Sequence, residues 1–252
     1  MENISNILKE IELKKNIKIL YACETGSRAW GFPSPDSDFD IRIIYMHERD
    51  WYLSLSHKKD TVEHMDGDLD ITGWDLKKSL ILLKKSNAAL IERFQSPIEY
   101  YAVPGFKDDF KRLVESYYSP TAVFFHHYSL AKKFWEDIEG KDEFKLKSFF
   151  YLVRSLLSCN WIIQDKTVLP MHIEGLMGYT EEAVKVKLRE LIQLKAGVEE
   201  KYLHSKDVML NEWILEKIKQ METAGQNLGV NRTDMTLFNE FFLKILYAKA
   251  DN

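Results

Sequence analysis

The chain has 252 residues, enough for one large domain or two modest ones; at 45% hydrophobic and 29% charged it can build a core and is not an intrinsically disordered chain. Its formal net charge of −4 argues against a protein that coats duplex DNA by charge alone. Cys23 and Cys159 stand without a CxxC or Cys/His spacing, which argues against a disulfide framework or a structural zinc site and fits a reducing cytoplasm. No window of about 18 apolar residues occurs, so no membrane partner is expected.

In chain order, Ile4, Ile7, Leu8 and Ile11 recur at helical spacing over residues 4–15. Residues 17–23 form a short apolar run rich in β-branched side chains, a strand, with Gly26 and Ser27 just beyond its end. Residues 31–37 carry Gly, two Pro and Ser and read as a loop. Residues 38–46 then alternate, with Phe39, Ile41, Ile43 and Tyr45 on one face and Asp38, Asp40, Arg42 and Ile44 on the other. Shorter strands are expected at 61–65 and 69–72, around the turn Asp66-Gly67-Asp68.

From Trp74 the period becomes helical, with Asn87 placed to cap a second helix and Ser96-Pro97 ending it. Ser119-Pro120 opens a long helix. Further helices are expected at 144–164, 180–195, 198–222 and 234–249. The shift near residue 100 predicts an α+β chain, with an α/β domain over residues 1–100 carrying a small mixed sheet, then a C-terminal helical domain over 101–252.

The segment Gly26-Ser27-Arg28-Ala29-Trp30-Gly31, a loop, then Ser37-Asp38-Phe39-Asp40 carries the chemistry. Two carboxylates one residue apart on a strand share a face, and such a pair repels unless a cation lies between them. Magnesium suits oxygen donors of this kind, and two such ions can serve an in-line displacement at phosphorus, with manganese an alternative ion. Gly26 lets backbone N–H groups approach a phosphate, and the Ser27 hydroxyl adds a donor. Arg28 either pairs with a phosphate or packs under the loop against a neighbour.

This ordered set resembles the DNA polymerase β-type nucleotidyltransferases, whose pattern is Gly-Ser, roughly ten residues, then Asp-x-Asp; here ten residues lie between Ser27 and Asp38. The fuller string GSRAWGFPSPDSDFDIRIIY is similar to a bacterial and phage subgroup described as RNA-repair-pathway polymerase-β-like proteins, and the stretches WDLKKSLILLKKSNAALIERFQSPIEY, HHYSLAKKFW and FFYLVRSLLSCNWI extend the likeness over residues 20–170. The resemblance implies a third carboxylate on a neighbouring strand that helps hold metal and activates the attacking hydroxyl. Asp70 is the candidate, Asp68 its competitor on the same face, with Asp66 and Asp75 behind them. The catalytic and metal set is therefore Asp38, Asp40 and Asp70, and the expected reaction is transfer of a nucleoside monophosphate from an NTP such as ATP to a hydroxyl.

On the helix at 144–164, Lys147, Tyr151, Arg154 and Ser158 form one polar stripe among apolar residues. The stripe either lies exposed on a half-buried helix or serves a nucleotide, with Lys147 and Arg154 on phosphates and Tyr151 on the base or sugar. Adjacent His126 and His127 point about 100° apart and are not a chelating pair. The acceptor stays open between an RNA 3′ end such as that of tRNA, and a small molecule or protein hydroxyl; a non-catalytic nucleotide- or RNA-binding module is the alternative from another class.

Overall fold

The computed structural model describes residues 2–56, 58–225, 228 and 234–248. The elements begin with α1 (Glu2–Lys15), β1 (Lys18–Thr25), α2 (Gly26–Trp30), β2 (Phe39–Met46), α3 (Arg49–Leu53), β3 (Thr61–Asp66) and β4 (Leu69–Asp75). They continue with α4 (Leu76–Lys84), α5 (Ala88–Arg93), β5 (Glu99–Ala102), α6 (Phe106–Tyr117), α7 (Pro120–Ile138), β6 (Glu143–Lys145) and α8 (Leu146–Gln164). The chain ends through α9 (Ile173–Leu176), a 3-10 turn, α10 (Glu182–Ala196), β7 (Leu203–Ser205), α11 (Val208–Ala224) and α12 (Thr236–Tyr247). The class is α+β, with helices dominating the C-terminal part.

Two compact units form. The first is described over residues 2–25, 39–118 (57 aside) and 234–248, the second over 26–38, 119–225 and 228.

The first unit is built on a five-stranded mixed sheet of order β3-β4-β2-β1-β5. β2 and β4 run parallel, and the other neighbours are antiparallel. The period-2 alternation of β2 decides which side chains are buried where: Ile41, Ile43 and Tyr45 join Ile19, Ala22 and Ile71 in a cluster against Leu8 and Ile11 of α1. Ile43 stands opposite Gly73, where a Cβ would lie 2.7 Å from the Ile43 side chain, so glycine lets β2 and β4 pack at this point. Elsewhere in the unit Tyr21 stacks on Phe94 at 5.0 Å, Phe94 on Phe110 at 4.0 Å, and Phe110 meets Phe241 of α12 edge-on. Asp75 caps α4 through the Lys77 N–H at 2.8 Å, and Asn87 caps α5 through the Leu90 N–H at 3.0 Å, as its sequence position implies.

In the second unit α7 and α8 pack along each other, and most of α8 is buried. The Ser119 hydroxyl accepts from the Ala122 N–H, with Pro120 in the first turn. The helix expected over 198–222 begins only at Val208, where Asp207 caps it, because Leu203–Ser205 pairs instead with Glu143–Lys145. That same pairing starts α8 at Leu146 rather than Phe144. The helix expected at 234–249 runs Thr236–Tyr247, and Lys249 lies outside the described residues. No helix among the described residues is long and apolar enough to cross a membrane.

Candidate active site

In the first unit, the parallel register sets Asp40 directly beside Asp70, and Arg42 beside Thr72. Alternation puts Asp40 and Arg42 on one face of β2, and Asp70 and Thr72 on the matching face of β4. Asp68, the competitor for the third carboxylate, precedes β4, so Asp70 is the register partner. Side-chain exposures of 28% for Asp40 and 27% for Asp70 leave both carboxylates within reach of solvent.

Between them lies Arg42. Its Nη2 donates to Asp40 Oδ1 at 2.8 Å and to Asp70 Oδ2 at 2.9 Å, while Nη1 donates to the backbone oxygens of Ile41 and Asp70. The Thr72 hydroxyl donates to the other Asp70 oxygen. The backbone of Asp40 is fixed from β1. Its N–H donates to Glu24 Oε1 at 2.6 Å, and its carbonyl accepts from the Thr25 hydroxyl at 3.0 Å. Glu24 is fully buried and also accepts from the Tyr100 hydroxyl at 2.5 Å, so the cost of burying its carboxyl is offset by strong hydrogen bonds.

The chain leaves this unit at Thr25 and re-enters it at Phe39, and the segment between belongs to the second unit. There Gly26 has a φ of +65°, which permits the abrupt change from strand to the one-turn α2. Ser27 is buried, and its carbonyl accepts from the N–H groups of Gly31 and Phe32. Arg28 donates from Nε to the Asp38 carbonyl at 3.1 Å and from Nη2 to the Ser37 carbonyl at 2.9 Å, closing the loop on itself. Asp38 is exposed.

The rest of that loop is tied down within the second unit. The Ser37 hydroxyl donates to Glu200 Oε1, Lys147 Nζ donates to Glu200 Oε2 at 2.6 Å, and the Glu200 N–H donates to the Asp36 carboxylate. Lys195 is buried and donates to the Ser34 hydroxyl at 2.7 Å; burial holds its ammonium below the usual lysine range. For Lys147 burial is the largest single influence and acts downward, but the bond to Glu200 and the negative groups around the ammonium together outweigh it and the pKa is raised.

Lys147, Tyr151 and Arg154 of the α8 stripe have partners inside the unit. Tyr151 lies edge-on to Trp30 and against Phe134. Arg154 is buried, with its guanidinium 4.4 Å from the Trp30 ring centre and donating to the Met171 carbonyl. Ser158 and His127 are buried, and burial holds His127 well below the usual histidine range, as a neutral core residue.

The donor set of the first unit suits a hard divalent ion in kind, since Asp40 and Asp70 offer carboxylate oxygens in register. Among the described residues no group of three or more His, Cys, Asp or Glu side chains converges as a metal cage, and the Arg42 guanidinium bonds the two carboxylates. Three side chains that hold the candidate site and its loop in place are not among the residues the sequence singles out. Arg42 had a visible signal, since it shares the Asp40 face of β2. Glu24 had a weaker one, an acid within an otherwise apolar strand, and Glu200 had none.

These strands, the Gly-Ser turn and the in-register aspartates belong to a defined class. The chain is a member of RlaP, the RNA repair pathway DNA polymerase beta family, matched over residues 1–244, and so a polymerase-β-like nucleotidyltransferase by family. It is similar to the uncharacterized protein YcgL of Bacillus subtilis (strain 168), 36% identical over 238 residues that span 93% of this chain and 92% of that relative. A nucleotidyltransferase-like protein from Exiguobacterium sibiricum 255-15, known from a crystal structure, aligns with 95% of this chain and 78% of its own at 10% identity and a TM-score of 0.29, a level that defines neither fold nor function.

Proposed function

We propose that the protein transfers a nucleoside monophosphate from an NTP to a hydroxyl acceptor in a magnesium-dependent reaction. The observation that carries this reading is the carboxylate pair Asp40 and Asp70, side by side on parallel strands and open to solvent in a chain of this family. Asp40 and Asp70 would hold the metal, magnesium or in its place manganese, and Asp38 is the further ligand that the Asp-x-Asp pattern of the sequence implies. A bound ion pair supplies charge neutralisation for the attacking and leaving oxygens.

The protein's own groups do the rest. Gly26 and Ser27 hold phosphate through backbone N–H groups and the hydroxyl, and Arg28 adds positive charge beside them. Lys147, Tyr151 and Arg154 are the nucleotide-side groups of the helical unit; Lys147, with a side chain 41% exposed, is the one best able to meet a phosphate, and Arg154 supports from beneath Trp30. Asp70 accepts the proton of the acceptor hydroxyl as its oxygen bonds to the α-phosphorus and pyrophosphate leaves.

The family description favours RNA as the acceptor, and an RNA 3′ end presents the required hydroxyl. The test is incubation with α-labelled NTPs, magnesium, and separate pools of cellular RNA, protein and metabolites. Label appearing in RNA supports the full reading, and label in another pool moves the acceptor to that class. No transfer in any pool rejects the enzyme and leaves a nucleotide- or RNA-binding module. Asp70→Asn is expected to lower the transfer rate by about 10²–10⁴-fold, the range for a lost general base.

A further inference from the structure

The contact in the first unit that no role yet explains is the one made by Arg42. The residues read above as metal ligands already share a cation, and it is organic. Arg42 Nη2 bonds one oxygen of each carboxylate, at 2.8 Å to Asp40 and 2.9 Å to Asp70. Nη1 bonds the backbone oxygens of Ile41 and Asp70, each at 3.1 Å. The guanidinium is thus held four times, and its side chain is 20% exposed, so it is not a loose surface pair. A planar fork bonded in this way and a divalent cation compete for the same carboxylate lone pairs. Because Arg42 sits two residues from Asp40 on the same strand, this competitor never diffuses away.

We propose that Arg42 is the resident counter-ion of the Asp40–Asp70 pair, and that a divalent cation enters by displacing its Nη2 group. Arg42 is then a positioning residue: it holds the two carboxylates together without metal, and it sets how tightly metal binds. The inference rests on the reading of these aspartates as metal ligands.

The probe is Mn²⁺ alone, titrated into the full chain at one pH and ionic strength and followed by loss of the free-ion electron paramagnetic resonance signal. Arg42→Met keeps the apolar stem and removes the charge. Arg42→Lys keeps a charge on a single ammonium that cannot repeat the fork. Arg42→Met is expected to bind Mn²⁺ roughly tenfold tighter than the wild type, about 1.4 kcal/mol, with Arg42→Lys between the two. Equal or weaker binding by folded Arg42→Met, with binding still abolished by Asp40→Asn, overturns the proposal and leaves the metal reading standing. If neither the wild type nor either Arg42 variant binds Mn²⁺, the metal reading falls and takes the proposal with it. If Arg42→Met fails to fold, Arg42→Lys decides alone: tighter binding than the wild type supports the proposal, and equal or weaker binding overturns it.

Discussion

Asp75 shows how one buried carboxyl can be read from its surroundings. It ends β4, is 1% exposed, caps α4 and accepts from the Tyr52 hydroxyl at 2.6 Å. Burial pushes its pKa up from 3.8 to about 6. The folded state therefore favours the protonated acid, so the stabilising contribution is full below the ordinary Asp range and is lost as pH rises from about 4 through 6. Asp75→Asn keeps one acceptor oxygen for the Lys77 N–H, turns an amide N–H toward the Tyr52 oxygen in place of the second acceptor, and never ionises. Relative to the wild type it is expected to gain on the order of 3 kcal/mol of unfolding free energy between pH 4 and pH 7. Denaturant titrations of both proteins across that range check this, and a flat difference contradicts it. Which residues take part in the candidate site was legible only where the chemistry is local. Asp40 announces itself because alternation is a property of one strand, whereas Asp38, expected on the same strand, precedes β2 and belongs to the second unit. The pairing of Arg42 with both Asp40 and Asp70 was not legible, because it depends on the parallel register of β2 against β4, which no single segment encodes.

Elements differ in how much of their cause is local. Caps are local, and Asn87 and Ser119 could be named from their neighbours. Ser119→Ala is expected to destabilise the protein by about 1 kcal/mol in equilibrium unfolding, the usual cost of a lost N-cap. The short strands β6 and β7 are not local, since each is three residues long and is defined only by the other. Gly31 ends the turn after α2 with a φ of +91°, and a Cβ there would stand 2.2 Å from the ring of His172. Gly31→Ala is expected to cost about 2–4 kcal/mol through backbone strain and overpacking together. Adding His172→Ala removes the collision and leaves the strain, so the double variant should recover part of the loss. Additive losses in the double-mutant cycle would show that the ring does not press on the glycine.

At the scale of the whole molecule, the chain crosses between its two units rather than completing one and starting the other. The first unit takes α12 from the far end of the sequence, where Phe241 packs against Phe106 and Phe110, Phe238 packs against Tyr117, and Lys244 pairs with Asp109. Hydrophobic period alone shows that α12 is a helix but not which core it completes, because that depends on contacts more than a hundred residues away. Removing everything after residue 230 uncovers those rings. Burial of Phe238 and Phe241 at about 1.5–3 kcal/mol each predicts a loss of roughly 3–6 kcal/mol. Thermal denaturation of the truncated chain checks it, and an unchanged midpoint would deny α12 its place in that core.

The late position of α12 also sets a clock. At about 5–20 residues per second of synthesis, the ribosome needs on the order of ten seconds to go from α6 to α12. Throughout that interval the nascent sheet unit carries an aromatic seam, at Phe106, Phe110 and Tyr117, whose cover has not yet been made. The stretch of synthesis between these helices is thus the window in which a chaperone has something to hold.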